Sequence, residues 1–117
     1  MIIVNLDLEL FRSILVAVKN APSSIVKNNY SIRFDGVHPT TTDYHIHWLI
    51  QEGFLSAIDP EFKDREYDYI NIKLTSKGRQ LLDILANQDN FERARAILED
   101  SAIPMTLDAL LSAFMKQ

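Results

Sequence analysis

Apolar residues recur along the chain at two spacings, and the change from one to the other divides it into elements. Over 7–20, Leu8, Phe11, Leu15 and Val18 fall at steps of three and four with Ile14 beside them, which makes one apolar stripe on a helix. Asn5 or Asp7 can cap its start. Asn20, Ala21 and Pro22 stop it, because the residue before a proline avoids the helical region. Residues 1–4 read as a short edge strand or a frayed end. Between 23 and 39 the periodicity weakens, and a helical turn at 24–27 has no strong support. Tyr30, Ile32 and Phe34 alternate with Ser31 and Arg33, the pattern of a short half-buried strand, and 35–39 then turn the chain.

The next helix starts with Thr40 or Thr41 as its cap and runs to about Glu52, where Gly53 is placed for a left-handed stop. Residues 54–58 follow as a strand. Ile70, Ile72 and Leu74 alternate through a second strand at 69–75, and the polar connection between the two is too long for a tight turn. Three helices close the chain. The first, 76–86, presents Leu81, Leu82 and Leu85. In the second, Asp89 and Glu92 resemble a capping box ahead of Phe91, Ala94 and Leu98. Pro104 breaks that run, and Thr106 caps a last helix with Leu107, Leu110, Leu111 and Phe114 on one face. With no repeat, low-complexity run or linker, 1–117 reads as a single domain in which 76–117 pack on a core formed by 1–75.

Helix, short strand, helix, strand, long loop, strand, helix is the order of a winged helix-turn-helix. The fold class expected is α+β, mainly α, with a two- or three-stranded antiparallel wing and additional C-terminal helices. "YHIHWLIQEGFL" resembles the end of the recognition helix in such folds: Leu49 stands four residues before Gly53, and Phe54 and Leu55 follow. Ile46 and Leu49 then face the core, Gly53 ends the helix, and Phe54 and Leu55 begin the wing strand. A closer resemblance covers nearly the whole chain through "DLELFRSILVAV", "YHIHWLIQEGFLSAID", "LTSKGRQLLD" and "ARAILEDSAIPMTLDALL". In their order and spacing these pieces are similar to a bacterial and prophage family filed as domain of unknown function two-five-one-three. The chain departs from it in Phe54, where the family usually has leucine, and in a longer segment between Ala21 and Pro39. The resemblance implies a winged-helix fold and a phage or prophage setting, and it hands over no catalytic residue.

Composition narrows the setting more than the function. Of the 117 residues 47% are hydrophobic and 24% charged, ordinary for a globular domain with a modest core. Without cysteine there is no disulfide, thiolate zinc or iron–sulfur chemistry, which fits a reducing cytoplasm. The apolar opening lacks a basic start and soon meets Asp7 and Glu9, so it does not read as a signal peptide. No apolar run approaches the ~20 residues of a membrane span. The net charge of −4 weighs against a general nucleic-acid coat, since such binding rests on Lys and Arg neutralising phosphates.

The candidate nucleic-acid-binding residues are Thr41, Tyr44, His47, Trp48 and Gln51 on the recognition helix, with Lys63 and Arg65 on the wing. Thr, Tyr, His and Gln can hydrogen-bond base edges, and aromatic rings can pack on thymine methyls or sugars. Against this stands ordinary packing: Tyr44 and Trp48 are four residues apart and can pack together under the wing or the last helices. Trp48, the chain's one tryptophan, leans towards packing. Charge is the main objection. Asp43 and Glu52 lie on the helix without a basic partner, and the wing sets five acids (Asp59, Glu61, Asp64, Glu66 and Asp68) against Lys63 and Arg65, a balance of −3. A phosphate grip would have to come largely from Lys27, Arg33, Lys63, Arg65 and Lys73.

Other chemistry has less support. His45 and His47 are two apart, so on a helix they point to different sides, whereas zinc sites favour histidines four apart or cysteine partners; His38 in a loop does not repair this. His45 reads instead as a hydrogen-bonded, partly buried imidazole. No glycine-rich phosphate loop, nucleophile elbow or spaced carboxylate pair is present, so no enzyme and no cofactor is expected. Gly78 in "SKGR" reads as permitting close helix packing. The last helix needs a cover for its apolar face, supplied by the domain itself or by a second copy in a homodimer. Two functions follow: a phage-type winged-helix protein that binds duplex DNA, of the small transcriptional-regulator kind, or a non-catalytic protein–protein interaction module whose acidic wing suits a basic host partner.

Overall fold

The computed structural model describes residues 7–21, 28–59, 67–100 and 106–115 of the chain. Among them are five α-helices and one two-stranded antiparallel sheet, a mainly helical α+β arrangement. The reading of 1–4 and that of 24–27 fall outside the described residues.

Helix α1 (Leu8–Asn20) starts where Asp7 turns its carboxylate back to accept the backbone N–H groups of Glu9 and Leu10 at 3.0 and 3.3 Å. Its stripe of Leu8, Phe11, Ile14, Leu15 and Val18 is buried, and the helix ends at extended Ala21 ahead of Pro22. Helix α2 (Pro39–Gln51) begins earlier than its threonines suggested. His38 is the cap: its Nδ1 accepts from the N–H of Thr40 at 3.1 Å. Pro39 explains the shift, because it has no N–H to satisfy and its fixed φ suits the first helical position. At the far end Gly53 takes φ +85°, the left-handed stop expected of it, and the chain passes through fully buried Phe54 into strand β1 (Leu55–Ile58).

The predicted strand at 30–34 is not formed. A single 3-10 turn, Asn29–Ser31, followed by backbone that joins no strand, lies there instead. The reason is Asn29, whose side chain is wholly buried and performs the pairing that a strand would otherwise provide. Its Oδ1 accepts the N–H of Tyr69 at 2.7 Å, its Nδ2 donates to the Tyr67 carbonyl at 3.0 Å, and its own N–H donates to the Tyr69 carbonyl at 3.2 Å. The sheet therefore has two strands, β1 and β2 (Ile70–Leu74).

Alternation along β2 is also interrupted. Leu55 pairs with Leu74 and Ser56 with Lys73, but Ile58 pairs with Ile70, so β2 carries one extra residue in that interval. Asn71, at φ +57°, lies within it; asparagine tolerates this left-handed backbone better than most side chains. The bulge separates Ile70 from Ile72: Ile72 is buried, Ile70 is only half-buried, and Leu74, beyond the bulge, is half-buried but packs against the core.

Helix α3 (Ser76–Ala86) starts at the base of the hairpin and buries Leu81, Leu82 and Leu85. The hydroxyl of Thr75 caps it by accepting from Gly78 N–H, and the same hydroxyl donates to the carbonyls of Gly53 and Phe54 at 2.7 and 2.9 Å. Gly78 permits a close approach, as its sequence position suggested, but the neighbour is the backbone entering β1 rather than another helix: a Cβ there would stand 2.1 Å from the Phe54 carbonyl oxygen. Lys77 completes the clasp. Its ammonium donates to the Glu52 carbonyl at the end of α2, where positive charge suits the helix dipole, and pairs with Asp108 at 2.6 Å.

Helix α4 (Gln88–Asp100) follows α3 through one residue, and its cap is not the expected Asp89–Glu92 box. Asn87 ends α3 and opens α4, with its Oδ1 accepting the N–H of Asn90 at 3.1 Å. Glu92 instead accepts from Gln88 and pairs with Arg95. Phe91 and Ala94 are buried, and the guanidinium of Arg12 lies 3.8 Å from the centre of the Phe91 ring. Thr106 caps helix α5 (Leu107–Met115) as expected, and Leu107, Leu110 and Leu111 are covered within the chain, with Phe114 half-buried. Helix α1 packs on α2, α3 and β2, so the core lies between α1 and the α2–hairpin unit and continues beneath α3, α4 and α5. No helix among the described residues is long and apolar enough to cross a membrane.

Candidate nucleic-acid interface

The inner side of α2 is set by Thr42, His45, Ile46 and Leu49, all buried. At 100° per residue the opposite side carries Thr40, Tyr44, His47 and Gln51, of which Thr40 and Gln51 are exposed and Tyr44 and His47 half-exposed. Thr41 and Trp48 lie on the flank, both half-buried. Of the helix residues that the sequence nominated, Tyr44, His47 and Gln51 share the outer side, Thr41 and Trp48 do not, and Thr40 joins it without having been nominated. Lys63 and Arg65, its expected companions, are outside the described residues.

The hairpin contributes to this face through two residues that sequence reasoning missed. Tyr67 and Tyr69 precede β2, and their rings meet α2: His47 lies 5.0 Å from Tyr67 and 6.0 Å from Tyr69 between ring centres, and Tyr44 lies 6.4 Å from Tyr67. The Tyr69 hydroxyl is 2.6 Å from His47 Nδ1. Trp48 sits edge-on to Tyr44 at 6.2 Å and, half-buried, packs against the core. Its indole Nε1 is buried without a hydrogen-bond partner among the described residues. The period-two spacing of the tyrosines in "EYDYI" was the available signal, but it does not say which helix they meet.

Charge beside α2 is more balanced than the sequence implied. Asp43 has a basic partner after all: Arg33 reaches it from the segment before α2, with Nη1–Oδ1 at 2.8 Å and Nη2–Oδ2 at 3.4 Å. Arg33 also donates to the carbonyls of Asn29 and Ile32. That fork is engaged by its own neighbours, which removes Arg33 from the set of ready phosphate contacts. Lys73 is exposed on β2, opposite Ser56.

His45 ties the two ends of the fold's first half together. Fully buried against the Phe11 ring, it accepts the Asp7 N–H on Nε2 at 2.9 Å, and its Nδ1 stands 2.7 Å from the Thr41 carbonyl. A carbonyl can only accept, so the ring is the neutral Nδ1–H tautomer with both nitrogens engaged. Burial lowers its pKa below the usual 6.5; the Thr41 hydrogen bond and the Asp7 charge oppose this but are smaller. The unfolded chain therefore takes up a proton before the folded one does. The His45 contribution to stability is complete above pH ~6.5 and is lost as pH falls from there through the lowered folded value. Urea unfolding between pH 7 and 5 should show a steeper loss for the wild type than for a His45→Gln variant. Parallel pH profiles for the two would contradict this account.

A family model described as "Hypothetical protein (DUF2513)" matches residues 5–104. The chain belongs to this family. The matched span contains α1 through α4 and so includes α2 and the hairpin; α5 lies beyond it, and the match ends inside the last of the four stretches that carried the resemblance. No curated protein and no solved structure matches the chain.

Proposed function

We propose that this member of the family is a winged-helix protein of phage or prophage type that binds duplex DNA as a small transcriptional regulator. In this reading α2 is the recognition helix and the β1–β2 hairpin the wing. One observation carries it: the side of α2 facing away from the core presents Thr40, Tyr44, His47 and Gln51 in a row, continuous with the tyrosines at the hairpin base. These side chains carry no fixed charge of their own and can donate to or accept from base edges, which is the chemistry of reading rather than of general adhesion. Phosphate contacts fall in this reading to Lys63 and Arg65, which the sequence places between the two strands, and to exposed Lys73 on β2.

The rival reading, a protein-interaction module for a basic partner, draws on the Arg33–Asp43 pair, which leaves the surroundings of α2 with little positive charge to offer a phosphate. One titration separates them. Fluorescence anisotropy with mixed labelled duplexes should show binding at low salt whose log–log slope against salt is about −2 to −4, since each phosphate contact contributes about −0.9. The double variant Lys63→Glu, Arg65→Glu should make that slope shallower by about 2. Absence of binding at low salt, or a double variant indistinguishable from wild type, removes the DNA reading in favour of the module.

A further inference from the structure

His38 is exposed at the leading end of α2, and its imidazole does more than close the helix. The backbone N–H of Thr40 donates to its Nδ1 at 3.1 Å. A backbone amide can only donate, so Nδ1 is the acceptor and the proton of the neutral ring lies on Nε2. Capping therefore fixes the tautomer. It also holds the ring across the helix end, because rotation away would leave the Thr40 N–H without this partner. Nε2 has no hydrogen bond to another described residue, so the exposed ring offers its N–H as a free donor in a held position.

The two ends of α2 differ in what can approach them. At the trailing end Glu52 Oε1 accepts the N–H of Asp108 at 3.3 Å, and Lys77 donates to the Glu52 carbonyl while pairing with Asp108. Two carboxylates stand there against one ammonium, with the start of α5 brought against the helix end. At the leading end His38, Pro39 and Thr40 are all exposed, and Asp43 is held by Arg33. Asp35, exposed in the turn before, keeps this end from being basic, so what it offers is directed hydrogen bonding rather than net charge. The helix dipole adds partial positive charge on this side and partial negative charge on the other.

We infer that α2 enters the major groove leading end first, and that His38 is a specificity-determining residue that donates from Nε2 to a base-edge acceptor there. The inference rests on the DNA-binding reading above and adds a contact outside the row of Thr40, Tyr44, His47 and Gln51. In the major groove guanine offers N7 and O6, adenine N7 and thymine O4 as acceptors, whereas cytosine presents only its amino donor. Cytosine at the position under His38 should therefore be selected against.

The test uses His38→Ser, because serine also caps helices through its side-chain oxygen but is too short to carry a donor outward. Wild type and variant are each used to select from a duplex pool with a randomised core. Thermal unfolding of both and imidazole 15N spectra of the wild type's neutral ring accompany the selection. The wild type should enrich a motif that disfavours cytosine at one position, and its His38 signals should be those of an Nε2–H tautomer. His38→Ser should unfold close to the wild type and keep the rest of the motif. Its discrimination against cytosine should fall by about 3–10-fold, the scale of one hydrogen bond. Should His38→Ser unfold well below the wild type, His38→Asp, a second capping side chain without a donor, repeats the selection. A variant that enriches the wild-type motif unchanged, or weakens every position equally, makes His38 a cap only, and the inference fails while the DNA reading stands. An Nδ1–H tautomer overturns it without reference to DNA. A wild type that enriches no motif overturns the DNA reading, and the role given to His38 with it.

Discussion

Replacing Gly78 by alanine is expected to destabilise the fold by about 2–4 kcal/mol, at the upper end of what overpacking costs. On helix propensity alone the substitution should help by about 1 kcal/mol, so the sign of the result separates the two effects. Tertiary contact decides it. The new methyl would stand 2.1 Å from the Phe54 carbonyl oxygen and 2.9 Å from Leu74 Cδ1. The leucine methyl can rotate away. The carbonyl cannot easily do so, because it already accepts from the N–H and the hydroxyl of Thr75, and Phe54 is fully buried behind it. Either α3 lifts from the end of α2 or the hairpin shifts. Thermal unfolding should report a drop of roughly 10 °C, taking about 4 °C per kcal/mol for a chain of this size. A variant as stable as wild type, or more so, would show that this approach is looser than the structure places it.

The second large effect belongs to Asn29. Truncation to alanine removes the acceptor for the Tyr69 N–H and the donor for the Tyr67 carbonyl, while Tyr69 itself remains buried. An unsatisfied buried donor costs about 1–3 kcal/mol, and the cavity left behind adds to it, so a loss of about 2–4 kcal/mol is expected in chemical denaturation. Asn29→Asp provides a near-isosteric comparison. It keeps an acceptor for Tyr69 but turns the donor into a second acceptor facing the Tyr67 carbonyl, and it places a charge where no water reaches. It should be less stable than the alanine variant at neutral pH and recover as acid protonates the carboxylate, because burial raises that group's folded pKa. An Asn29→Ala protein within about 0.5 kcal/mol of wild type would contradict the view that this side chain substitutes for a third strand.

The two cases share a physical origin that also separates what was legible in the chain from what was not. Features governed by neighbours three or four residues apart were readable. These include the stripe from Leu8 to Val18, the start and end of α3, the Asp7 and Thr106 caps, and the stop at Gly53. Each depends on backbone geometry repeated every few residues, and the apolar spacing records it. Local chemistry went wrong where two nearby solutions competed. His38 capped α2 because Pro39 favoured an earlier start, and Asn87 served both α3 and α4 where Asp89 had been expected to open the second. The alternation of Ile70, Ile72 and Leu74 was real in the sequence, but the bulge at Asn71 turned it off one face.

The candidate interface shows the same division more sharply. The row Tyr44, His47 and Gln51 on the far side from Ile46 and Leu49 follows from helical phase, and so does the expectation that Gly53 hands the chain to a strand. Nothing in the order of residues says that Tyr69 will meet His47 from 22 positions away, that Asn29 will grip Tyr69 from 40, or that His45 will accept the Asp7 N–H across 38. Those bonds exist only once α1, α2 and the hairpin have packed and excluded water, which makes a partner for a buried polar group worth having wherever the fold brings one. The Arg33–Asp43 pair belongs with them: its two charges are visible in the sequence, but their mutual neutralisation depends on how the connector folds back on α2. Periodicity therefore established the helices and the two hairpin strands, and the inner and outer faces of the helices. The packing of those elements established which side chains are held, which charges are already engaged, and which remain to meet a partner.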